Sequence, residues 1–113
     1  MPILGDLEHA VMDVLWARAA PTPVREVHEE LAQAREIAYT TVMTVLDRLA
    51  KKGIVARELD GRAWLYLPAR TRLELYVSTV NEALEGLTDA ERTQVLRAVT
   101  DGTAIGTVTE QFA

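Results

Sequence analysis

Residues 6–19 and residues 22–34 alternate apolar and polar positions with a helical period. The first stretch ends before Pro21, because a proline cannot continue a helix. Thr22 and Pro23 have the residue types of an N-cap and a first helical position, so we expect the second helix to begin there. The pattern predicts two amphipathic helices, each with one side directed at a core.

The pattern of residues 38–53 predicts a third helix. On a helical wheel of about 100° per residue, its side chains form two contrasting faces. The apolar face consists of Ala38, Val42, Val45, Leu46 and Leu49. The polar face consists of Thr40, Thr41, Thr44, Asp47, Arg48 and Lys51. A short connection over residues 34–37 makes the second and third helices a helix-turn-helix. Gly53 stands where a left-handed residue closes a helix.

Two short β-prone runs, residues 54–59 and 62–67, flank an Asp-Gly dipeptide and stop at a proline. This combination is the strongest short-range signal for a hairpin. A hairpin alone is marginally stable in water, so we expect it to pack on the three helices. The predicted fold class is mainly α with a small β-hairpin: a winged helix-turn-helix over residues 1–68, followed by a C-terminal helical region.

Two further helical stretches occupy residues 69–102, and Thr88 with Glu91 has the spacing of a capping box. Their apolar side has no evident partner in the first 68 residues. We therefore expect a homodimer in which a second copy covers this region, the alternative being that it folds back on the winged domain. The candidate dimerisation residues are Leu73, Tyr76, Val77, Val80, Leu84, Val95 and Val99. Residues 103–113 are expected to form a flexible tail.

Charge is distributed unevenly along the chain, whose net charge is -5. Residues 48–72 hold seven basic and two acidic residues, a local +5, while the segments before and after are each -5. The pattern indicates one anion-facing surface on an acidic body, although a charge run can also be an ordinary solvated face. Hydroxyls and cations on the third helix suit a DNA major groove, and Arg62 beside the hairpin turn suits phosphate or the minor groove.

Composition excludes several other classes of protein. The chain has no cysteine, so disulfides, thiolate metal sites and a cysteine nucleophile are absent. No apolar run approaches the roughly 20 residues of a membrane span, and no signal segment follows Met1, so we expect a cytoplasmic protein without a membrane partner. His9 and His28 lack clustered acids at metal-ligand spacing, and no Gly-rich phosphate loop occurs. We expect neither an enzyme, nor a metal, nor a cofactor.

Taken together, these motifs resemble the penicillinase-repressor family of winged-helix repressors, the BlaI and MecI type. The resemblance runs over roughly residues 4–70. It rests on Leu4 to Glu8, Val11-Met12, Leu15-Trp16, Val24 to Val27, Ala38 to Leu49, Lys51 to Gly53, Asp60 to Arg62 and Trp64 to Tyr66. The resemblance implies a homodimer on an inverted-repeat operator in double-stranded DNA.

Carried over position by position, the resemblance also implies the residues that meet DNA. It places Thr40, Thr41, Thr44 and Arg48 in the major groove, and Tyr39, Lys51 and Arg62 near phosphates. It further implies an inducer, in some family members a sensor protease that triggers cleavage at an Asn-Phe bond. The only phenylalanine here follows a glutamine at position 111, so the sequence contains no Asn-Phe bond. The alternative function is a winged-helix protein-interaction module without DNA binding.

Overall fold

The computed structural model describes residues 4–102, which form five α-helices and one three-stranded antiparallel sheet. In chain order the elements are α1 (Asp6–Arg18), β1 (Thr22–Pro23), α2 (Val24–Ala32), α3 (Tyr39–Lys51), β2 (Val55–Asp60), β3 (Ala63–Pro68), α4 (Arg72–Ala83) and α5 (Asp89–Asp101). The predicted fold class is confirmed. The chain divides into two compact units, Met1–Val77 and Ser78–Ala113. The expected flexible tail, residues 103–113, lies outside the described residues.

The sheet has the order β1-β3-β2, so the predicted two-stranded hairpin gains a short third strand. Thr22 pairs with Tyr66 and Pro23 pairs with Leu65. The prediction that Thr22 caps α2 is therefore wrong: the N-cap is Pro23, and the buried Thr22 hydroxyl donates instead to the carbonyl of Ala20 at 2.8 Å. Proline is tolerated in β1 because β1 lies at the edge of the sheet.

The hydrophobic core of the first unit lies among the first three helices and the base of the hairpin. Each of these elements contributes the side that its apolar pattern predicts, and Met12 is a further buried residue outside the predicted stripe. The largest side chains with less than 2% exposure are Met12, Leu15, Leu46, Leu49, Val11, Val27, Val42 and Thr22. This packing holds α3 by its apolar side and leaves its polar side at the surface.

The start of α4 also belongs to the core of the first unit. Leu75 is only 4% exposed and joins the hydrophobic cluster. The hydroxyl of Tyr76 lies 3.1 Å from Nε2 of His9 in α1. The expectation that α4 lacks a partner among the first 68 residues is thus wrong for its first turn. The predicted apolar stripe did not include Leu75, so the pattern gave no sign of this contact.

The second unit contains the end of α4 and the whole of α5. The predicted capping box is confirmed: the Glu91 amide donates to the Thr88 hydroxyl at 3.2 Å, and the Thr88 amide donates to the Glu91 carboxylate at 2.9 Å. Gly102 closes α5 in a left-handed conformation, with φ of 64°. Over residues 4–102, no helix combines the length and apolar character that a membrane crossing needs.

Candidate nucleic-acid interface

The polar face of α3 is a continuous exposed surface. Its buried side is formed by Val42, Val45, Leu46 and Leu49, as the helical wheel predicted, whereas the prediction for Ala38 is wrong because this residue is the exposed N-cap that precedes α3. On the other side Thr40, Thr41, Thr44 and Arg48 are all exposed. With Leu7 and Val45 these four residues line a shallow depression. Short side chains along this side allow a large partner to approach the helix backbone closely.

Most polar groups of this face remain available to a ligand. The Thr44 hydroxyl donates to the carbonyl of Thr40 at 3.0 Å, which leaves its oxygen lone pairs free to accept. Within residues 4–102, the side chains of Thr40, Thr41 and Arg48 form no hydrogen bond or ion pair. Donors and acceptors that no other part of the described chain occupies are what base edges require.

Tyr39 marks the beginning of α3, where it is 44% exposed. Its ring meets the ring of His28 edge to face, with centroids 5.7 Å apart and an interplanar angle of 73°. The His28 Nε2 lies 2.9 Å from the carbonyl oxygen of Ile37, so this nitrogen carries the proton and donates. Histidine 28 thereby connects α2, the turn and the first residue of α3.

The cations of residues 48–72 fall into two groups. Four of them pair with carboxylates: Lys51 and Arg57 with Asp47, Lys52 with Glu8, and Arg72 with Asp13. Within the described chain the side chains of Arg48, Arg62 and Arg70 have no ion pair. The sequence shows the local excess of positive charge, but only the structure shows which cations are unpaired.

The hairpin forms a wing beside α3. Its turn includes Gly61, whose φ of 63° is a left-handed conformation that favours glycine. Arg62 follows directly, exposed at the tip. Further down the wing, the Arg57 guanidinium lies 4.7 Å from the centroid of the Trp64 ring and 3.4 Å from the Asp47 carboxylate. The contact with Trp64 lies within the wing, and the contact with Asp47 attaches the wing to α3.

Sequence reasoning did not identify Arg57 and Trp64 as part of the site. Alternation along β2 places Arg57 on the same side as the buried Val55, so the pattern contained part of the signal. The partner Asp47 could not be deduced, because it depends on how the hairpin packs against α3.

Two carboxylates near α3 have a lowered pKa. The hydrogen bond from the Lys51 ammonium is the main cause for Asp47, with a further contribution from the charge of Arg57. Partial burial raises the pKa of Glu8, but hydrogen bonds from the Lys52 ammonium and the Gly5 amide, together with nearby positive charge, lower it overall. Both carboxylates are therefore anions at neutral pH. Asp47 links α3 to β2 through Arg57, and Glu8 links α1 to Lys52, the residue that follows α3.

The candidate dimerisation residues differ in exposure. Leu73, Tyr76 and Val77 in the first unit are 74%, 39% and 51% exposed. In the second unit, Val80, Val95 and Val99 are 45%, 39% and 72% exposed. Leu84 is only 4% exposed in the single chain, so it offers little surface to a partner.

No group of acids and histidines suited to a metal ion occurs within residues 4–102. His9 lies 3.1 Å from Asp13 and bonds to Tyr76, and His28 bonds to a backbone carbonyl. Both histidines thus have structural partners.

A helix-turn-helix followed by an antiparallel wing defines a winged-helix protein. The sequence profile of the penicillinase repressor family matches residues 4–110, and the chain belongs to that family. The family consists of repressors, which confirms the expectation that the chain is not an enzyme.

Individual relatives support the same family membership. The chain is 53% identical over 87 residues to the transcriptional regulator BlaI of Mycobacterium tuberculosis, an alignment that covers 77% of this chain and 63% of that protein. The chain thus spans less than two thirds of this relative's length. The solved DNA-binding domain of the repressor BlaI superposes with a TM-score of 0.57 at 32% identity, over 65% of this chain and 88% of that one.

A second solved relative was determined with DNA. It is the monomeric form of Bacillus licheniformis BlaI in complex with the blaP half-operator, which matches with a TM-score of 0.55 and 32% identity. The match covers 65% of this chain and 88% of that chain. The shared region corresponds in extent to the winged part of the fold.

Proposed function

We propose that this chain is a sequence-specific transcriptional repressor that binds double-stranded operator DNA as a homodimer. The observation that carries the proposal is the exposed face of α3, which presents three threonines together with Arg48, a residue with no ion pair in the described part of the chain. A second support is the relative from Bacillus licheniformis, which was solved on its half-operator. Because such a protein must reach the chromosome, we also propose a cytoplasmic location.

The chemistry of each residue suits its place in a DNA complex. Arg48 can donate two hydrogen bonds to the O6 and N7 atoms of guanine, and threonine can bond to a base edge or touch a thymine methyl. Arg62 at the tip of the wing can reach a phosphate or the minor groove. Tyr39 and Lys51, at the two ends of α3, can contact phosphates on either side of the groove.

Binding as a homodimer predicts a symmetric operator. Apolar residues exposed on α4 and α5 are the surface that we propose a second copy covers. Two copies related by a two-fold axis read the same sequence on opposite strands, with half-sites about one helical turn, or a multiple of it, apart. The operator should therefore be an inverted repeat. An inducer, such as a sensor protease, remains a prediction from the family resemblance.

The direct test is selection of bound duplexes from a random pool by the purified chain, followed by titration of the winning duplex at several salt concentrations. We expect an inverted repeat, and an affinity for it that falls steeply with salt as counterions are released. Random duplex of the same length is the control. A folded protein that selects no sequence and shows no salt response would instead favour the protein-interaction alternative.

A further inference from the structure

Asp47 is the one acidic residue of α3, and it lies on the face that we propose meets DNA. A carboxylate in this position is repelled by phosphates. Its neighbours on the same face, Thr44, Arg48 and Lys51, are neutral or positive. The position of Asp47 therefore needs an explanation other than affinity for DNA.

The two oxygen atoms of Asp47 each hold a different cation. The Lys51 ammonium lies 2.9 Å from Oδ2, and the Arg57 guanidinium lies 3.4 Å from Oδ1. Lys51 comes one turn later on α3, whereas Arg57 belongs to β2 of the wing. One carboxylate thus neutralises part of the positive charge of both α3 and the wing.

Lys51 and Arg57 are held to different degrees. The Lys51 side chain is 75% exposed, and an exposed ion pair of this kind is weak, so Asp47 competes with a phosphate for Lys51 without excluding it. Arg57 is 36% exposed and has a second contact, because its guanidinium lies over the ring of Trp64 at 4.7 Å. Arg48 and Arg62, in contrast, form no ion pair with any carboxylate of residues 4–102.

We infer that Asp47 is a specificity-determining residue that competes with DNA phosphates for Lys51 and Arg57 and so weakens binding to random sequence more than binding to the operator. The inference rests on the proposed function. Attraction to phosphates is the same for every sequence and supplies essentially all of non-specific binding. In an operator complex the base contacts of Arg48 and the threonines fix the docking geometry, so additional free cations contribute less there.

The test compares Asp47→Asn with the unchanged full-length chain on two probes: a random-sequence duplex and the duplex selected from the pool. On random duplex we expect about tenfold tighter binding at low salt, and a log-log salt slope steeper by about 1 to 2, because up to two cations are released to phosphates. Binding to the selected duplex should change less, so the ratio of the two affinities should fall several-fold.

Three further variants assign the effect to its source. Glu26→Gln makes the same change of charge in a carboxylate that pairs with Arg18 on the other helices, 2.6 Å apart, and should leave the ratio unchanged. Adding Lys51→Gln or Arg57→Gln to Asp47→Asn should return the salt slope toward its original value. Circular dichroism of each variant checks that the fold is retained.

The possible results separate the two proposals. If the unchanged chain selects a duplex but Asp47→Asn leaves both the slope and the ratio as they were, the inference about Asp47 is wrong and the proposed function stands. If Glu26→Gln produces the same shift as Asp47→Asn, only total charge matters and the inference is again wrong. If the unchanged chain selects no duplex, the proposed function fails and the inference fails with it.

Discussion

The two compact units of the chain have similar amphipathic patterns but cover their apolar residues very differently. In Met1–Val77, α1 and α3 each bury four residues. In the described part of the second unit, α5 buries none, and Leu84 is the one buried hydrophobic residue. A helical apolar stripe therefore indicates that a surface needs covering, but it does not indicate whether the same chain covers it.

The difference assigns separate tasks to the two units. The first has its own core and uses it to present α3 and the wing in a defined arrangement. The second presents exposed valines, which a single copy leaves in contact with water. Substitutions in the core or on α3 of the first unit should therefore change stability or DNA affinity, and substitutions on the valines of the second should change self-association.

The largest expected effect is on stability, from Leu46→Ala in the core of the first unit. Leu46 is fully buried, so its truncation leaves a cavity and should lower the free energy of unfolding by about 2 to 5 kcal/mol. Urea denaturation followed by circular dichroism measures the change. The matched control is Val99→Ala at a 72% exposed position, which should cost under about 0.5 kcal/mol when both variants are unfolded at a protein concentration low enough to keep the chain monomeric, because Val99 is also a candidate dimerisation residue. Equal losses for the two would remove the contrast between the units.

The next effect is on DNA affinity, from Arg48→Ala. If Arg48 reads a base, its loss should weaken binding to the selected duplex by about 1 to 3 kcal/mol and relax the preference at one base pair of each half-site. Titration against duplexes changed at single positions measures both. Self-association should be unaffected, because Arg48 is not among the candidate dimerisation residues. A uniform loss across all sequences would show that Arg48 contacts only phosphate.

A smaller effect is expected on self-association, from Val80→Glu. Val80 is 45% exposed, so the fold tolerates the change, but a carboxylate placed twice in a symmetric interface should weaken the dimer by about tenfold or more. Sedimentation equilibrium measures the dissociation constant. Gln94→Glu adds the same charge at an exposed polar position of α5 and serves as the control. Unchanged association in Val80→Glu would argue that another surface joins the two copies.

The smallest effect concerns Glu8, which accepts from the Gly5 amide at 3.0 Å and from the Lys52 ammonium at 2.9 Å. Glu8→Gln should cost about 1 kcal/mol at neutral pH, in the range of a lost helix cap. The pKa of Glu8 is lowered from 4.5 in the folded protein, so its stabilisation is present above that value and is lost as pH falls through the lower folded pKa. The two proteins should therefore converge in stability on acidification, as thermal unfolding at pH 7 and below pH 4 can show. A gap that stays constant with pH would contradict this account of Glu8.

The parts of the fold with a clear local pattern could be predicted from the sequence. The two faces of α3 follow from helical spacing, and the wing follows from the Asp-Gly turn between β-prone runs. The capping box of Thr88 and Glu91 is equally local. In each case the relevant residues lie within a few positions of each other, so no knowledge of packing is needed.

Features that depend on distant contacts could not be predicted. Strand β1 is two residues long, too short for any period, and it exists only because β3 offers a free edge. Leu75 is buried because α4 begins against α1, although it lies off the main stripe of its own helix. In the candidate site, the pairing of Asp47 with Arg57 joins residues ten positions apart through the packing of a hairpin on a helix. Local sequence contains no record of that packing.

The central claim is that the polar face of α3 and the tip of the wing contact DNA. Backbone amide chemical shifts of the isotope-labelled chain, followed by NMR during titration with the selected duplex, test this claim most directly. We predict that the largest shifts fall on residues 39–51 and 60–63, with little change in α5 beyond any due to assembly. Largest shifts in α5, with α3 and the wing unchanged, would contradict the claim.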